Sequence, residues 1–139
     1  MEAFGSKVFR TITIASTEQV WSALTATGRP LEHLCGLVAW SEWRVGSTVS
    51  FGSERYPGVG RIVGEVLAIE EGRRLSYSLG DEPGYAVSYL TWEIAPHTCG
   101  AVIQLTVDEP DTTPDEIDEC WRPVIRVLTA NLDQQAASP

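Results

Sequence analysis

Basic side chains are scarce: 10 Lys and Arg stand against 19 Asp and Glu in 139 residues, a formal net charge of −9. A chain this acidic is repelled by polyanions, so neither nucleic acid nor an anionic membrane surface is expected as a partner. Only Arg73 and Arg74 are adjacent bases. Long apolar runs are also missing. Without 18 consecutive apolar residues no helix inserts into a membrane. The opening MEAFGSKVFR lacks an apolar signal core, which predicts a cytoplasmic protein. Cysteine is limited to Cys35, Cys99 and Cys120, with no CxxC. These are expected to be buried thiols in a reducing compartment. The two histidines, His33 and His97, have no metal-ligand spacing with each other or with the cysteines, so neither a metal nor another cofactor is expected. No Gly-x-Ser-x-Gly or P-loop pattern occurs. Gly58, Gly60 and Gly64 lack the strand–turn–helix setting of a dinucleotide fingerprint and read as bends in curved strands.

What is present is a globular composition, 43% apolar and 21% charged. It suits one domain over 1–139 around one core. Val8, Ile12 and Ile14 alternate along a first strand and suggest its buried face, interrupted by Arg10. Arg10 either reaches a cavity mouth or acid, or marks a surface strand end. Ser16 and Gln19 form a capping box ahead of Val20, Trp21 and Leu24, predicting a helix that Gly28 ends. Pro30 opens a second short helix carrying Leu31, Leu34 and Leu37. From Arg44 onward the pattern is strand and tight turn. Strands are expected at 44–51, 60–69, 73–79, 85–94 and 101–107, all antiparallel because their connections are short. Thr113, Pro114 and Glu116 start a last helix with the stripe Ile117, Trp121, Val124, Ile125, Leu128, Leu132. Pro123 should kink or break it, or open a new helix. One amphipathic helix over a curved antiparallel sheet makes an α+β domain.

This order resembles the helix-grip fold of the START and Bet v 1 (SRPBCC) superfamily. The pieces that carry the match are Ile12–Thr25, Ser41–Ser47, Gly64–Tyr77, Leu90–Pro96, and Trp121 with Leu128 and Leu132. They point to the branch similar to the C-terminal domain of the activator of Hsp90 ATPase. The resemblance implies a curved sheet of about six strands wrapped on the long C-terminal helix, with two short helices after the first strand. It implies an internal cavity, and a function among small-molecule binders, polyketide cyclases and a co-chaperone domain.

The aromatics converge from different predicted elements. Trp40, Trp43, Leu75, Tyr77, Leu90, Trp92, Trp121 and Ile125 are the expected ligand-binding set, facing a small hydrophobic or aromatic molecule between sheet and helix. Simple core packing accounts for the same residues equally well. A cyclase, dehydratase or hydrolase would need an acid, base or oxyanion donor in the cavity, for which Arg61, Glu65, Tyr77 and His97 are the candidates. A co-chaperone-like interaction domain would instead expose an apolar sheet face. Homodimerisation fits any of these readings. The seven carboxylates from Asp108 to Glu119 lack the glycine of a calcium loop and read as a solvated helix start.

Overall fold

The computed structural model describes residues 5–53, 62–81 and 86–137. The chain runs β1 (Gly5–Thr13), α1 (Thr17–Leu24), β2 (Pro30–Leu31), a 3₁₀ turn (Glu32–Leu34), β3 (Leu37–Ser41), β4 (Thr48–Gly52), β5 (Ile62–Glu70), β6 (Arg74–Leu79), β7 (Ser88–His97), β8 (Gly100–Glu109) and α2 (Pro114–Ala137). One antiparallel sheet has the order β1-β8-β7-β6-β5-β4-β3-β2. It curls around α2 in the helix-grip manner, with eight strands among the described residues rather than about six.

Three local expectations change. The segment after Gly28 is not an α-helix; Pro30 and Leu31 pair with Val38 and Leu37 as a short edge strand, and only Glu32–Leu34 is helical, as a single 3₁₀ turn. Pro30 has no N–H to give, and an edge strand tolerates that. The strand expected at 44–51 starts only at Thr48, as β4, and is preceded by the loop 42–47 and by β3, a strand the sequence pattern did not predict. The third change is the parity of β1. Val8, Ile12 and Ile14 are the exposed face, each about half accessible, while Phe9 and Thr13 are buried.

α2 explains that parity. It lies alongside β1, running in the same direction. Lys7 Nζ stands 3.5 Å from Asp118, the Arg122 guanidinium sits 5.3 Å over the Phe9 ring, Thr129 donates to Thr11, and Thr13 donates to Asp133. Residues 7, 9, 11 and 13 are the odd face of a strand; 118, 122, 129 and 133 lie along a helix. Six strand steps span roughly 20 Å and fifteen helix steps roughly 22 Å, so the two repeats stay in phase. The inward face of β1 is therefore chosen by what the helix can bond, not by the most apolar alternation.

Pro123 does not divide α2, which remains one helix of 24 residues. Its side is exposed, so the carbonyl of Glu119 that loses its donor can turn to water. Ile117, Ile125, Leu128 and Leu132 are the buried stripe. At the other end, α1 has both arms of its capping box: Gln19 N–H to Ser16 Oγ at 3.1 Å and Ser16 N–H to Gln19 Oε1 at 2.9 Å.

Candidate aromatic site on the concave face

β6 and β7 carry the core of the candidate site. Their register pairs Leu75 with Trp92 and Tyr77 with Leu90, all on the concave face. Leu75 and Leu90 are fully enclosed, and Trp92 is 2% exposed. The diagonal pair is bonded: Trp92 Nε1–H donates to the Tyr77 hydroxyl at 3.1 Å. Burial pushes the Tyr77 phenol up to about 12, against a smaller opposing pull from that bond. At neutral pH it is a neutral hydroxyl, able to donate and accept and unable to act as a base.

Two further rings reach Tyr77, one from β4 and one from the loop that precedes it. Phe51 of β4 lies with its centroid 5.9 Å away, tilted by 38°. Trp43 lies 6.1 Å away, tilted by 59°. Trp43 belongs to the loop 42–47, which is built around it. Its φ is +51°, a left-handed backbone beneath a bulky side chain. Such a residue costs about 1–3 kcal/mol and persists only where its surroundings impose it. Here the surroundings are serines. Ser41 Oγ accepts the Trp43 N–H at 3.0 Å, and Ser47 Oγ accepts from Arg44 N–H and donates to its carbonyl. Ser47 and Gly46 also bond the backbone of Val66 on β5. The indole nitrogen so positioned is buried and has no hydrogen-bond partner among the described residues. A buried N–H without an acceptor costs about 1–3 kcal/mol more.

The other sequence-predicted ligand residues distribute as follows. Ile125 is buried beneath the sheet, within the same core. Trp121 is half-buried against that core, and its indole N–H donates to Glu109 Oε1 at 3.2 Å, at the end of β8. Trp40 lies apart. Its strand partner is Ser50, while the inward residues Ala39 and Phe51 alternate with them, so Trp40 is on the convex face and 40% exposed. Trp40 and Trp43 are three residues apart with strand, loop and strain between them, which is how they reach opposite faces.

The catalytic candidates among the described residues are not brought together. Glu65 is exposed and alternates with the buried Val66, so it points outward. His97 is exposed in the β7–β8 turn, where its Nδ1 accepts the Cys99 N–H at 3.1 Å, a turn-closing role. Arg61 lies outside the described residues. Of the three described candidates only Tyr77 is inside. Arg10 joins the convex face in a row across four strands, Arg10–Gln104–Glu93–Arg74, with Gln104 bonded to Glu93. The three cysteines are exposed and free, correcting the expectation of buried thiols. Among the described residues no group of His, Cys, Asp or Glu could hold a metal ion. The acidic run is committed elsewhere: Asp108 to Ser6, Glu109 to Trp121, Glu116 to the Thr113 cap, Asp118 to Arg122.

A cleft elsewhere on the molecule was not visible in the sequence. A cleft of about 380 Å³ lies between α1, the 29–33 segment and the last turns of α2, lined by Ala23, Arg29, His33, Leu128, Asn131 and Gln135 among others. His33 is 8% exposed there. Burial, and then the charge of Arg29, bring its imidazole down to about 4, so it is neutral at pH 7. Its signal in the sequence was only its spacing from Leu31, which a polar residue masks.

The family model for activator of Hsp90 ATPase homolog 1-like proteins matches residues 14–133. No curated protein matches the chain in sequence. Among solved structures, a Cytophaga hutchinsonii protein determined in solution is 23% identical, with a TM-score of 0.76, over 99% of this chain and 100% of that one. An AHSA1-like protein from Aeromonas hydrophila is 15% identical, with a TM-score of 0.73, over 96% and 95%. A Mesorhizobium loti protein is 22% identical, with a TM-score of 0.72, over 93% and 97%. At these identities the likeness is one of fold.

Proposed function

We propose that this chain, which belongs to the activator of Hsp90 ATPase homolog 1-like family, binds a small apolar or aromatic molecule between the concave sheet face and α2. The observation that carries the reading is the aromatic group of Trp43, Phe51, Tyr77 and Trp92, gathered from β4, β6, β7 and the strained loop 42–47. A core that only needed filling has no reason to hold Trp43 in a left-handed backbone with its N–H unspent. Flat ligands stack on such rings, and the curved sheet with its long helix supplies the two walls. The binding is non-catalytic, since Glu65 and His97 face solvent and Tyr77 stays a neutral phenol.

Chemical-shift mapping with a panel of aromatic and lipid-like compounds tests this. Binding should move the signals of residues 75–79 and 90–94, and of Trp43. Trp121→Ala should weaken binding while costing less stability than the about 3–5 kcal/mol of a fully packed aromatic. Shifts confined to the convex face, or none with any compound, would overturn the reading.

A further inference from the structure

Trp43 retains one property that core packing leaves unexplained. Its indole N–H is enclosed and has no acceptor among the described residues. An indole can donate and cannot accept. Tyr77, whose ring centroid is 6.1 Å away, already receives the Trp92 N–H, so its own hydrogen is the one left to give. The rings are close enough for one metabolite-sized molecule to meet both donors. Their neighbours on the concave face, Phe51, Leu75, Leu90 and Trp92, offer neither charge nor a carboxylate.

Resting on the binding function proposed above and going beyond it, we infer that the bound molecule is an uncharged ring compound carrying a carbonyl oxygen, which the Trp43 indole N–H receives, with the Tyr77 hydroxyl as the second donor. Each part of that description answers one feature. The ring matches the four aromatic side chains. The carbonyl matches groups that can only give a hydrogen: a ligand hydroxyl would bring another hydrogen in need of an acceptor. The absence of charge matches the lining, because no Lys or Arg among the described residues is buried to pair with a carboxylate taken out of water.

The probes are two isosteric pairs of different size, 1-indanone with indane and 9-fluorenone with fluorene, together with fluorene-9-carboxylate. They are titrated into the full chain and followed on the indole N–H signals and on the amides of β6 and β7. The Trp43 indole is assigned through its contacts with the Tyr77 ring. One ketone should bind about tenfold tighter than its hydrocarbon, the weight of a buried donor gaining its acceptor. The Trp43 indole proton should move downfield with the ketone and not with the hydrocarbon. Trp43→Phe keeps a ring and removes the donor, so the preference should fall below about threefold. The wild-type indole shift keeps the test decisive if that variant folds poorly. Equal affinity for ketone and hydrocarbon overturns the inference and leaves apolar binding standing. Tighter binding of the carboxylate overturns the uncharged class. No movement of the concave-face signals with any of the five compounds overturns the binding function, and this inference with it.

Discussion

Tyr77 and Trp92 make a bond whose two partners are of unequal consequence. Tyr77→Phe keeps the ring contacts with Phe51 and Trp43 but leaves the Trp92 N–H enclosed and unpaired. We expect it to lose about 1–3 kcal/mol in urea unfolding, more than the loss of a surface hydroxyl. An unchanged midpoint would mean that water reaches Trp92 Nε1. These residues were visible in the sequence as a set, because Leu75, Tyr77, Leu90 and Trp92 follow strand alternation. Trp43 was visible only as an aromatic. Its left-handed backbone and its idle donor depend on Ser41, Ser47 and a contact with Val66, which no local pattern encodes. Trp40 was misjudged for the converse reason: composition marks it as apolar, but its register with Ser50 turns it outward.

At the level of elements, the seam between β1 and α2 is held most firmly at its far end. Asp133 accepts the Thr13 hydroxyl at 2.5 Å and the Ile14 N–H at 3.0 Å, and Thr13 in turn accepts the Ala15 N–H. Asp133→Ala should cost about 2–3 kcal/mol, because Thr13 is buried and charged acceptors weigh more than neutral ones. Asp133→Asn should cost about half that. Hydrogen exchange should quicken first in the last turns of α2; faster exchange spread evenly over the sheet would contradict this. The sequence announced α1 and α2 clearly, through capping boxes that depend on neighbours three residues away. It did not announce the face of β1. Val8, Ile12 and Ile14 look like a core stripe, yet Thr11 and Thr13 go inward because their hydroxyls meet Thr129 and Asp133 across more than a hundred residues. The Pro30 strand was missed similarly, its partner Val38 lying beyond a turn.

For the whole molecule, His33 links folding to acidity. Its imidazole titrates near 4 in the folded chain and near 6.5 when unfolded. Between those values the unfolded chain holds the extra proton, so stability falls as pH drops from about 6.5 toward 4 and this contribution is constant above that window. Over the window the loss approaches about 3 kcal/mol. Arg29 and Glu32 are the charged groups of its own segment, and α2 offers the cleft only the neutral Asn131, Gln134 and Gln135 as polar side chains. Unfolding of wild type and His33→Gln at pH 7 and pH 4.5 isolates the effect: the variant should lose less on acidification, and equal losses would assign the acid sensitivity to carboxylates. The overall architecture was legible because a run of short turns between alternating strands, closed by one striped helix, admits few arrangements. Strand order was less so, and it has a temporal consequence. Among the described strands the first pairs only with the last, Gly5–Thr13 against Ala101–Glu109. On the ribosome β1 emerges ahead of β8 and waits for roughly 90 more residues, some 5–20 s at ordinary elongation rates, before its neighbour is made. Through that interval Val8, Ile12 and Ile14 travel on an unpaired strand. The nascent chain is thus most vulnerable to sticking to its neighbours along β1, and only the completion of β8 ends the exposure of that backbone.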